Sequence, residues 1–345
     1  MYSLNIEIMK PTDFSKYISD FISRYLPHEK GLSNNTIIAY RDTFVLLLEY
    51  LQKEKHLKLE KLTLDKITKE VVLDFLDWLQ KTRNCGNATR NARLAAIHSF
   101  YRFLQRESLG HLHQCQKILS IGFKKSRNKS ITYLTIDGMK LLLQQPDYTT
   151  IKGRRDLALL SLLYDTGARV QEIIDLTPSM LRLDTPPVIK IIGKGNRARI
   201  VPMLDAQTGH LKNYILENRL DTASANMYPL FFNSRKEKLT RAGIHYIVQK
   251  YFKKALEENK MLLPEKISCH SLRHSKAMHL LQAGVNLVYI RDILGHVSVQ
   301  TTEIYARADS KQKRKALEKA YVNVNPNETA KWTKNESLMM WLKKF

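Results

Sequence analysis

Apolar side chains recur at helical spacing through the first third of the chain. Phe14, Ile18 and Phe21 lie on one face of a helix that is expected to run from Asp13 and to stop at Pro27. The same spacing predicts three further helices, which begin after Ser33, after Thr68 and near Asn87. The pattern therefore predicts a helical N-terminal domain that covers residues 1–122.

The chain beyond residue 131 mixes helices with a short β-hairpin. Two strand-like runs, 188–192 and 197–201, flank the turn Gly193-Lys194-Gly195-Asn196, whose glycines permit a tight reversal. Helical spacing is found at about 135–144, 155–164 and 241–257, and again after Pro264. We therefore expect a mainly α fold with a small β-hairpin or sheet (α+β), in a second domain that covers residues 132–324.

A basic segment separates the two expected domains. Residues 124–130 include four cations and no apolar side chain that could anchor them to a core, which predicts an exposed linker over 123–131. Its charge suits a segment that lies across a nucleic-acid backbone. At the other end, Asn325-Pro326-Asn327 sets off a tail, residues 325–345, in which Leu338–Leu342 predicts a short apolar helix.

The charge balance indicates an acidic partner. The 345 residues include 56 Lys and Arg against 33 Asp and Glu, which gives a formal net charge of +23 and a pI near 9.8. A protein this basic attracts polyanions, and nucleic acid is the commonest polyanion inside cells. A set of solvated lysine-rich faces is the alternative interpretation.

Cysteine usage and the lack of long apolar runs favour a soluble cytoplasmic protein. Cys85, Cys115 and Cys269 are odd in number and scattered, which argues against a disulfide framework and suits a reducing compartment. The first residues show no basic stretch followed by an apolar core, and no run approaches the roughly 18 apolar residues of a membrane span. We therefore expect no association with a membrane.

Three segments contain the residues that suggest chemistry: Thr166–Glu172, His270–His274, and Leu294–His296 with Tyr305 shortly after. Arg169 follows a glycine at the start of an expected helix, where backbone N–H groups favour an anion. Arg273 offers a second planar fork for phosphate oxygens, and His270 lies one helical turn before it. Gly295 is expected to end a helix, and Ser298 to cap the next one, which presents Tyr305. A phosphate held by two arginines, beside imidazoles and a phenol, is a phosphoryl-transfer site that needs no metal.

Two rival interpretations of these motifs are weaker. His270 and His274 have an i, i+4 spacing that can bind zinc, but Ser271 replaces a catalytic Glu and Arg273 would place a cation beside the metal. The run Gly193-Lys194-Gly195 lacks the spacing of a nucleotide-binding phosphate loop and precedes a strand. We therefore expect no metal site and no cofactor.

Taken together, the motifs resemble the tyrosine site-specific recombinases, the family of phage integrases, Xer proteins and Cre. The matching segments, in the family's order, are the helix Arg93–Leu104, the run Thr166–Glu172, the hairpin Gly193–Pro202, the run His270–His274, and Leu294–His296 with Thr301–Tyr305. They are similar to the last helix of the family's core-binding domain, to the segment of its first arginine, to its lysine hairpin and to its C-terminal signature. The likeness spans about residues 12–310.

The resemblance implies a role for each residue around the phosphate. Arg169 and Arg273 would bind the scissile phosphate and stabilise the charge that grows on its oxygens, and His296 would donate a hydrogen bond to one of them. Glu172 would orient Arg169, although an ordinary surface carboxylate is the alternative.

The resemblance also implies the path of the reaction. Tyr305 would attack and form a 3′-phosphotyrosine, with His270 as the general base for its phenol. Lys194, on the hairpin turn, would protonate the departing 5′-oxygen. The phosphotyrosine conserves the bond energy, so neither ATP nor a metal is required.

The family's architecture implies a two-domain clamp on double-stranded DNA that contains specific recombination sites. A monomer or dimer would bind DNA before synapsis and a homotetramer would form the synaptic complex, with an accessory directionality factor as a further partner. The tail helix would dock on a neighbouring protomer or pack on its own domain. The expected DNA contacts are Arg90, Arg93, Lys124, Lys125, Arg127, Lys129, Arg197 and Arg199.

The expected activity is cleavage and rejoining of DNA through a Holliday junction, in the integration or excision of a mobile element. The alternatives are dimer resolution of the Xer kind, relaxation by a type IB topoisomerase, and a DNA-binding protein with an inactive site. The last is disfavoured because all six catalytic positions contain competent residues.

Overall fold

A computed structural model describes residues 10–126, 130–193 and 195–308, together with 340, 343 and 344; for 205–207 and 307 it describes the backbone alone. The chain divides into two compact units, residues 1–128 and 129–345. The linker residues Arg127 and Lys129, the hairpin residue Lys194 and, apart from Met340, the expected tail helix Leu338–Leu342 lie outside the described residues.

The first unit is helical. Its helices are α1 (Asp13–Asp20), which continues as a π-helix (Phe21–Glu29), α2 (Asn34–Lys53), α3 (Lys69–Lys81), α4 (Asn87–Glu107) and α5 (Leu112–Leu119). Their boundaries confirm the helices that the apolar spacing predicts. At the start of α3, the Thr68 hydroxyl accepts a hydrogen bond from the Val71 amide, which satisfies a donor that the helix itself leaves unpaired.

The helix that was expected to stop at Pro27 continues to Glu29. A proline inside an α-helix removes one hydrogen bond and clashes with the carbonyl four residues earlier. In this segment the turns widen to π geometry, and the Lys30 amide donates to the Tyr25 carbonyl five residues back. The widening keeps Phe21, Tyr25 and Leu26 buried while accommodating the proline.

The second unit combines eight described helices with a three-stranded sheet, which confirms the mainly α fold with a small sheet. The helices are α6 (Ile136–Gln144), α7 (Ile151–Thr166), α8 (Val170–Ile174), α9 (Asp205–Glu217), α10 (Arg241–Glu258), α11 (Cys269–Gln282), α12 (Leu287–Leu294) and α13 (Gln300–Ala308). The strands β1 (Leu181–Arg182), β2 (Val188–Ile192) and β3 (Ala198–Pro202) pair antiparallel in that order, with Ile192 opposite Ala198 at the expected turn.

Helix α7 forms the centre of the second unit. Leu159, Leu160 and Leu163 are buried in its core, and α11 packs along it. Gly167 ends α7 in the left-handed conformation, and a side chain there would collide with Leu294 of α12. This close approach brings the C-terminal ends of α7 and α12 together over α11.

Helix α13 is joined to α12 by the turn that the sequence predicts. Gly295 ends α12 in the left-handed conformation, and the Ser298 hydroxyl accepts a hydrogen bond from the Gln300 amide at the start of α13. A small apolar cluster anchors α13 to α11 and α12, and its buried members are Ala277, Met278, Ile290, Leu294 and Tyr305. Among the helices that the structure describes, none is long and apolar enough to cross a membrane.

Phe100 provides a test of the first unit. It is fully buried on α4, and its ring centroid lies 5.3 Å from the ring centroids of both Phe21 and Phe44. Phe100→Ala removes these contacts and leaves a cavity, so we expect a loss of about 3–5 kcal/mol in the free energy of unfolding, measured by urea denaturation. Phe123→Ala, at a side chain 56% exposed, is the control. A loss at Phe100 no larger than the loss at Phe123 would contradict the assigned core.

Candidate active site

Arg273 lies at the centre of the site and is almost completely buried on α11. Its Nη1 donates to the Gly167 carbonyl at 2.6 Å and its Nη2 to the Leu294 carbonyl at 2.7 Å. These carbonyls belong to the C-terminal ends of α7 and α12, where helix carbonyls lack partners and the helix dipole is negative. The guanidinium therefore satisfies both helix ends and keeps its position without a ligand.

Arg169 is linked to the same place through Glu172. The Glu172 carboxylate accepts hydrogen bonds from the Arg169 amide at 2.9 Å and from Arg169 Nη1 at 2.8 Å. The guanidinium of Arg169 also faces the Gly295 carbonyl at 3.4 Å and is about a third exposed. Glu172 thus holds an arginine that is open to solvent on one side; its expected role in orienting Arg169 toward a phosphate stays a prediction.

Arg199 of β3 completes this ion-pair network. Its Nη2 donates to Glu172 at 2.7 Å and its Nε to the Ile293 carbonyl at 2.8 Å, and the side chain is largely buried. Gly295 has a φ of +66°, which strains other residues, and a Cβ there would come within 2.7 Å of Arg199 Nη1 and displace that guanidinium. Arg199 therefore joins the hairpin to α8 and α12. Its expected contact with DNA stays a prediction, since these internal partners occupy it.

The pKa values follow from this charge arrangement. Burial raises the pKa of the Glu172 carboxyl, but the hydrogen bonds and charges of Arg199 and Arg169 outweigh it and hold the pKa below its ordinary range. Burial lowers the pKa of Arg273 to about 10, with a further contribution from Arg169. Among the described residues, the site holds three guanidinium groups against the Glu172 carboxylate, a balance that favours an incoming anion.

Tyr305 lies beside this cationic cluster with its side chain buried. Its hydroxyl is 2.9 Å from Nδ1 of His274, and its ring is stacked against His296 at 6.4 Å between centroids. His296 Nδ1 in turn lies 2.9 Å from the Thr302 hydroxyl, and Thr302 is completely buried. Two hydroxyls of α13 are therefore paired with two imidazoles, one on α11 and one after α12.

The imidazoles of the site are uncharged at neutral pH. Burial and the nearby His270 and Arg273 lower the pKa of His274 to about 4, and burial with Arg273, Arg169 and Arg199 does the same for His296. The pKa of His270 is also lowered, by burial first and then by Arg273 and Arg169. Burial raises the pKa of the Tyr305 phenol above its ordinary range, with Arg273 and Arg169 opposing the rise.

The structure thus brings together Arg169, Glu172, Arg273, His296 and Tyr305, as expected. His270 is exposed in the first turn of α11, and its ring lies 6.4 Å from that of His274. The position of Lys194 is outside the described residues, but the adjacent Gly193 is close to Glu172: a Cβ there would lie 3.1 Å from the carboxylate.

The expected DNA contacts outside the site have diverse environments. Arg90 is 3% exposed and its Nε lacks a hydrogen-bond partner in the structure, whereas Arg93 donates to the Ala39 carbonyl and the Thr43 hydroxyl. The remaining described ones, Lys124, Lys125 and Arg197, are exposed. Contact with DNA stays a prediction for all of them. Within the described ranges, no group of three or more His, Cys, Asp or Glu side chains could hold a metal ion.

Two family models match the chain. The description "Phage integrase family" matches residues 132–312, and "Phage integrase, N-terminal SAM-like domain" matches residues 19–108. A putative integrase/recombinase of Sinorhizobium fredii, y4rC, is 34% identical over 310 residues, which are 90% of this chain and 92% of that protein. The chain belongs to the phage integrase family of tyrosine recombinases.

Other recombinases support the same assignment. The tyrosine recombinase XerD of Staphylococcus epidermidis is 34% identical over 292 residues, 84% of this chain and 94% of that protein. Two solved structures share the fold: the Tn1549 transposon integrase in complex with transposon right end DNA, with a TM-score of 0.68 at 16% identity, and the XerH recombinase bound to its difH substrate, with 0.62 at 22%. The match to the Tn1549 integrase covers 88% of this chain and 98% of that one. The match to XerH covers 81% of this chain and 78% of that one.

His274 and Thr302 are residues of the recombinase site that the sequence analysis did not assign. His274 was considered as half of a zinc pair and as part of the run His270–His274 but received no role, and Thr302 was only a part of the motif before Tyr305. The available signal was the helical spacing, because Thr302 lies one turn before Tyr305 on α13 and must share its face. The hydrogen-bond partners of these side chains come from other helices, which spacing does not reveal.

Glu172 provides a test of the ion-pair network. Its folded pKa is depressed, so the stability it contributes is complete above its ordinary value of 4.5 and is lost as the pH falls through the folded pKa. We expect Glu172→Gln to cost about 3 kcal/mol in the free energy of unfolding at pH 7, because the largely buried guanidinium of Arg199 and the partly exposed one of Arg169 lose their counter-charge.

The measurement is urea denaturation of both proteins across a pH series. The difference between them should shrink as the pH falls below 4.5. Glu257→Gln, at an exposed position of α10, is the matched control and should have little effect. A Glu172→Gln protein as stable as the control variant at pH 7 would refute the network's contribution.

Proposed function

We propose that this recombinase cuts and rejoins double-stranded DNA at specific sites through a covalent bond between Tyr305 and a strand's phosphate. The observation that supports this proposal most strongly is the convergence of Arg169 and Arg273 beside the phenol of Tyr305. Both arginines are oriented before any ligand binds, one by Glu172 and one by two helix-end carbonyls. Donors that need no rearrangement stabilise developing charge most effectively.

In the proposed reaction, the scissile phosphate binds between Arg169 and Arg273, with His296 as a further donor. The Tyr305 oxygen attacks phosphorus and its proton passes to His270 as general base. The bond between phosphorus and the 5′-oxygen breaks, and that oxygen takes a proton from Lys194. The product is a 3′-phosphotyrosine, from which a 5′-hydroxyl of the partner strand reverses the same steps.

The charge of the chain supports its proposed DNA partner. Lys and Arg exceed Asp and Glu by enough to give a net charge of +23, and cations that neutralise phosphates supply most of the affinity of such proteins. We propose that residues 1–122 form a core-binding domain and residues 132–324 the catalytic domain of a clamp. The solved DNA complexes of the XerH recombinase and the Tn1549 integrase, which share the fold, are consistent with this arrangement.

We further propose that the recombination serves integration or excision of a mobile element, in a homotetrameric synaptic complex in the cytoplasm. The likeness to y4rC, a putative integrase/recombinase, supports this role. Dimer resolution of the Xer kind is the second candidate, and the identity of 34% to a XerD protein supports it.

Tyr305 provides the test of the chemistry. On nicked duplexes that contain the DNA flanking the gene, the unmodified protein should form a covalent adduct that resists denaturing electrophoresis. Tyr305→Phe lacks the attacking oxygen, so it should bind the same DNA and form no adduct. Tyr289→Phe, at an exposed tyrosine of α12, is the matched control and should retain adduct formation. An adduct with Tyr305→Phe would show that the nucleophile is another residue.

The products of a two-site assay test the biological role. Supercoiled plasmids that contain pairs of the element's end sequences, or pairs of identical chromosomal sites, are incubated with the protein. A mobile-element recombinase should yield recombinants from the element ends and assemble four protomers on the paired sites. Recombinants from chromosomal sites alone would favour dimer resolution. Relaxed plasmid without recombinants would indicate a topoisomerase and contradict both roles.

A further inference from the structure

The phenol of Tyr305 is inaccessible in the described conformation. The residue is 1% exposed and belongs to the small apolar cluster of α11, α12 and α13. A nucleophile must approach to about van der Waals distance of the atom it attacks. A phosphate cannot approach an oxygen that a water-sized molecule does not reach. The described conformation therefore precedes attack.

The hydrogen bond to His274 is the polar interaction that the structure assigns to this phenol. The distance between His274 Nδ1 and the Tyr305 oxygen is 2.9 Å, which is an ordinary hydrogen-bond length. Burial, His270 and Arg273 lower the pKa of His274 to about 4, and burial raises that of Tyr305, so both groups are uncharged at neutral pH. The bond joins a neutral imidazole and a neutral phenol.

This bond connects two helices, α11 and α13, that also contact each other through the small apolar cluster. His274 lies on α11, directly after Arg273, whose guanidinium is held by the ends of α7 and α12. Tyr305 lies on α13, whose Thr302 is paired with His296. A movement of α13 relative to α11 that presents the phenol to a phosphate breaks the bond to His274, and the two hydrogen bonds of Arg273 anchor α11 to α7 and α12.

We propose that His274 is a positioning residue that holds Tyr305 in its buried resting position, and that release of this hydrogen bond precedes attack on DNA. The inference rests on the proposed role of Tyr305 as nucleophile. It assigns to His274 a function separate from that proposed for His270, which is exposed to solvent. The cost of breaking the bond restrains cleavage until DNA and partner protomers compensate for it.

A competing role is that His274 accepts the phenol's proton during attack. The two roles make opposite predictions when the hydrogen bond is removed. Loss of a restraint accelerates adduct formation, whereas loss of a proton acceptor slows it. A matched pair of substitutions separates the bond from the shape of the side chain: His274→Leu removes the polar atom, while His274→Asn retains one near the position of Nδ1.

The first measurement uses the full chain without DNA. With 3-fluorotyrosine incorporated at position 305, broadening of its fluorine NMR signal by a soluble paramagnetic reagent reports the exposure of the phenol. We expect His274→Leu to increase the broadening and His274→Asn to stay closer to the unmodified protein. Circular dichroism and thermal unfolding establish that both variants are folded.

The second measurement is the rate of covalent adduct formation on a nicked duplex that contains one site. Because a neutral hydrogen bond contributes modestly, we expect His274→Leu to accelerate adduct formation by about two- to tenfold, with a smaller change for His274→Asn. A slower or unchanged rate for a folded His274→Leu protein overturns the proposal, as does unchanged exposure of the fluorotyrosine.

If Tyr305 is not the nucleophile, the measurements give a different pattern from the one that contradicts the role of His274. If the unmodified protein forms no adduct on any substrate, the role of Tyr305 as nucleophile is wrong. The fluorine measurement then still determines whether His274 keeps the phenol buried, because it needs neither DNA nor cleavage.

Discussion

The pair of hydrogen bonds from Arg273 to the carbonyls of Gly167 and Leu294 is the interaction on which the rest of the site depends. A buried guanidinium is costly unless its donors are satisfied, and the ends of two helices need donors for their unpaired carbonyls. The donors of Arg273 and the carbonyls of the two helix ends satisfy one another, so α7, α11 and α12 converge at the guanidinium. Arg169, which follows α7, and His296, which follows α12, are brought to Arg273 by this convergence.

The charge balance around that point explains why the site is prepared for an anion. Glu172 is the carboxylate that Arg169 and Arg199 share, and it neutralises only part of the local positive charge. Burial, together with this positive charge, keeps His274 and His296 neutral and therefore able to offer one donor and one acceptor each. A bound phosphate would reverse this effect and raise the pKa of both imidazoles, since an opposite charge favours the protonated form. Binding of DNA and the protonation state of the site are thus coupled.

Several elements could be predicted from local sequence, and others could not. Helix caps and glycine turns act within a few residues, so their signals are visible in the sequence. Examples are the caps at Thr68, Thr135 and Ser298 and the glycine turns at 193–195 and 295. Helices α5 and α9 were not predicted: α5 is only 8 residues long, and α9 contains a glycine, which is unfavourable inside a helix. Strand β1 has two residues and is defined by its pairing with β2. Two residues are too few for a sequence pattern to predict a strand.

The roles of the residues around Tyr305 are implied by the family resemblance, whereas the fold class, the hairpin and the order of the short motifs are evident in the sequence alone. Those features depend on periodicity and short motifs, whose physical origin is the geometry of one helix or one turn. The hydrogen-bond partner of each side chain follows from the tertiary structure. Arg273 bonds to a carbonyl 106 residues away, and Arg199 bonds to a carboxylate 27 residues away. The phenol of Tyr305 bonds to His274, 31 residues away, rather than to His270. Such bonds are set by how helices pack, because packing brings together groups whose separation along the chain carries no regular signal. The same packing buries Tyr305, so the access of a phosphate to its phenol depends on the tertiary structure.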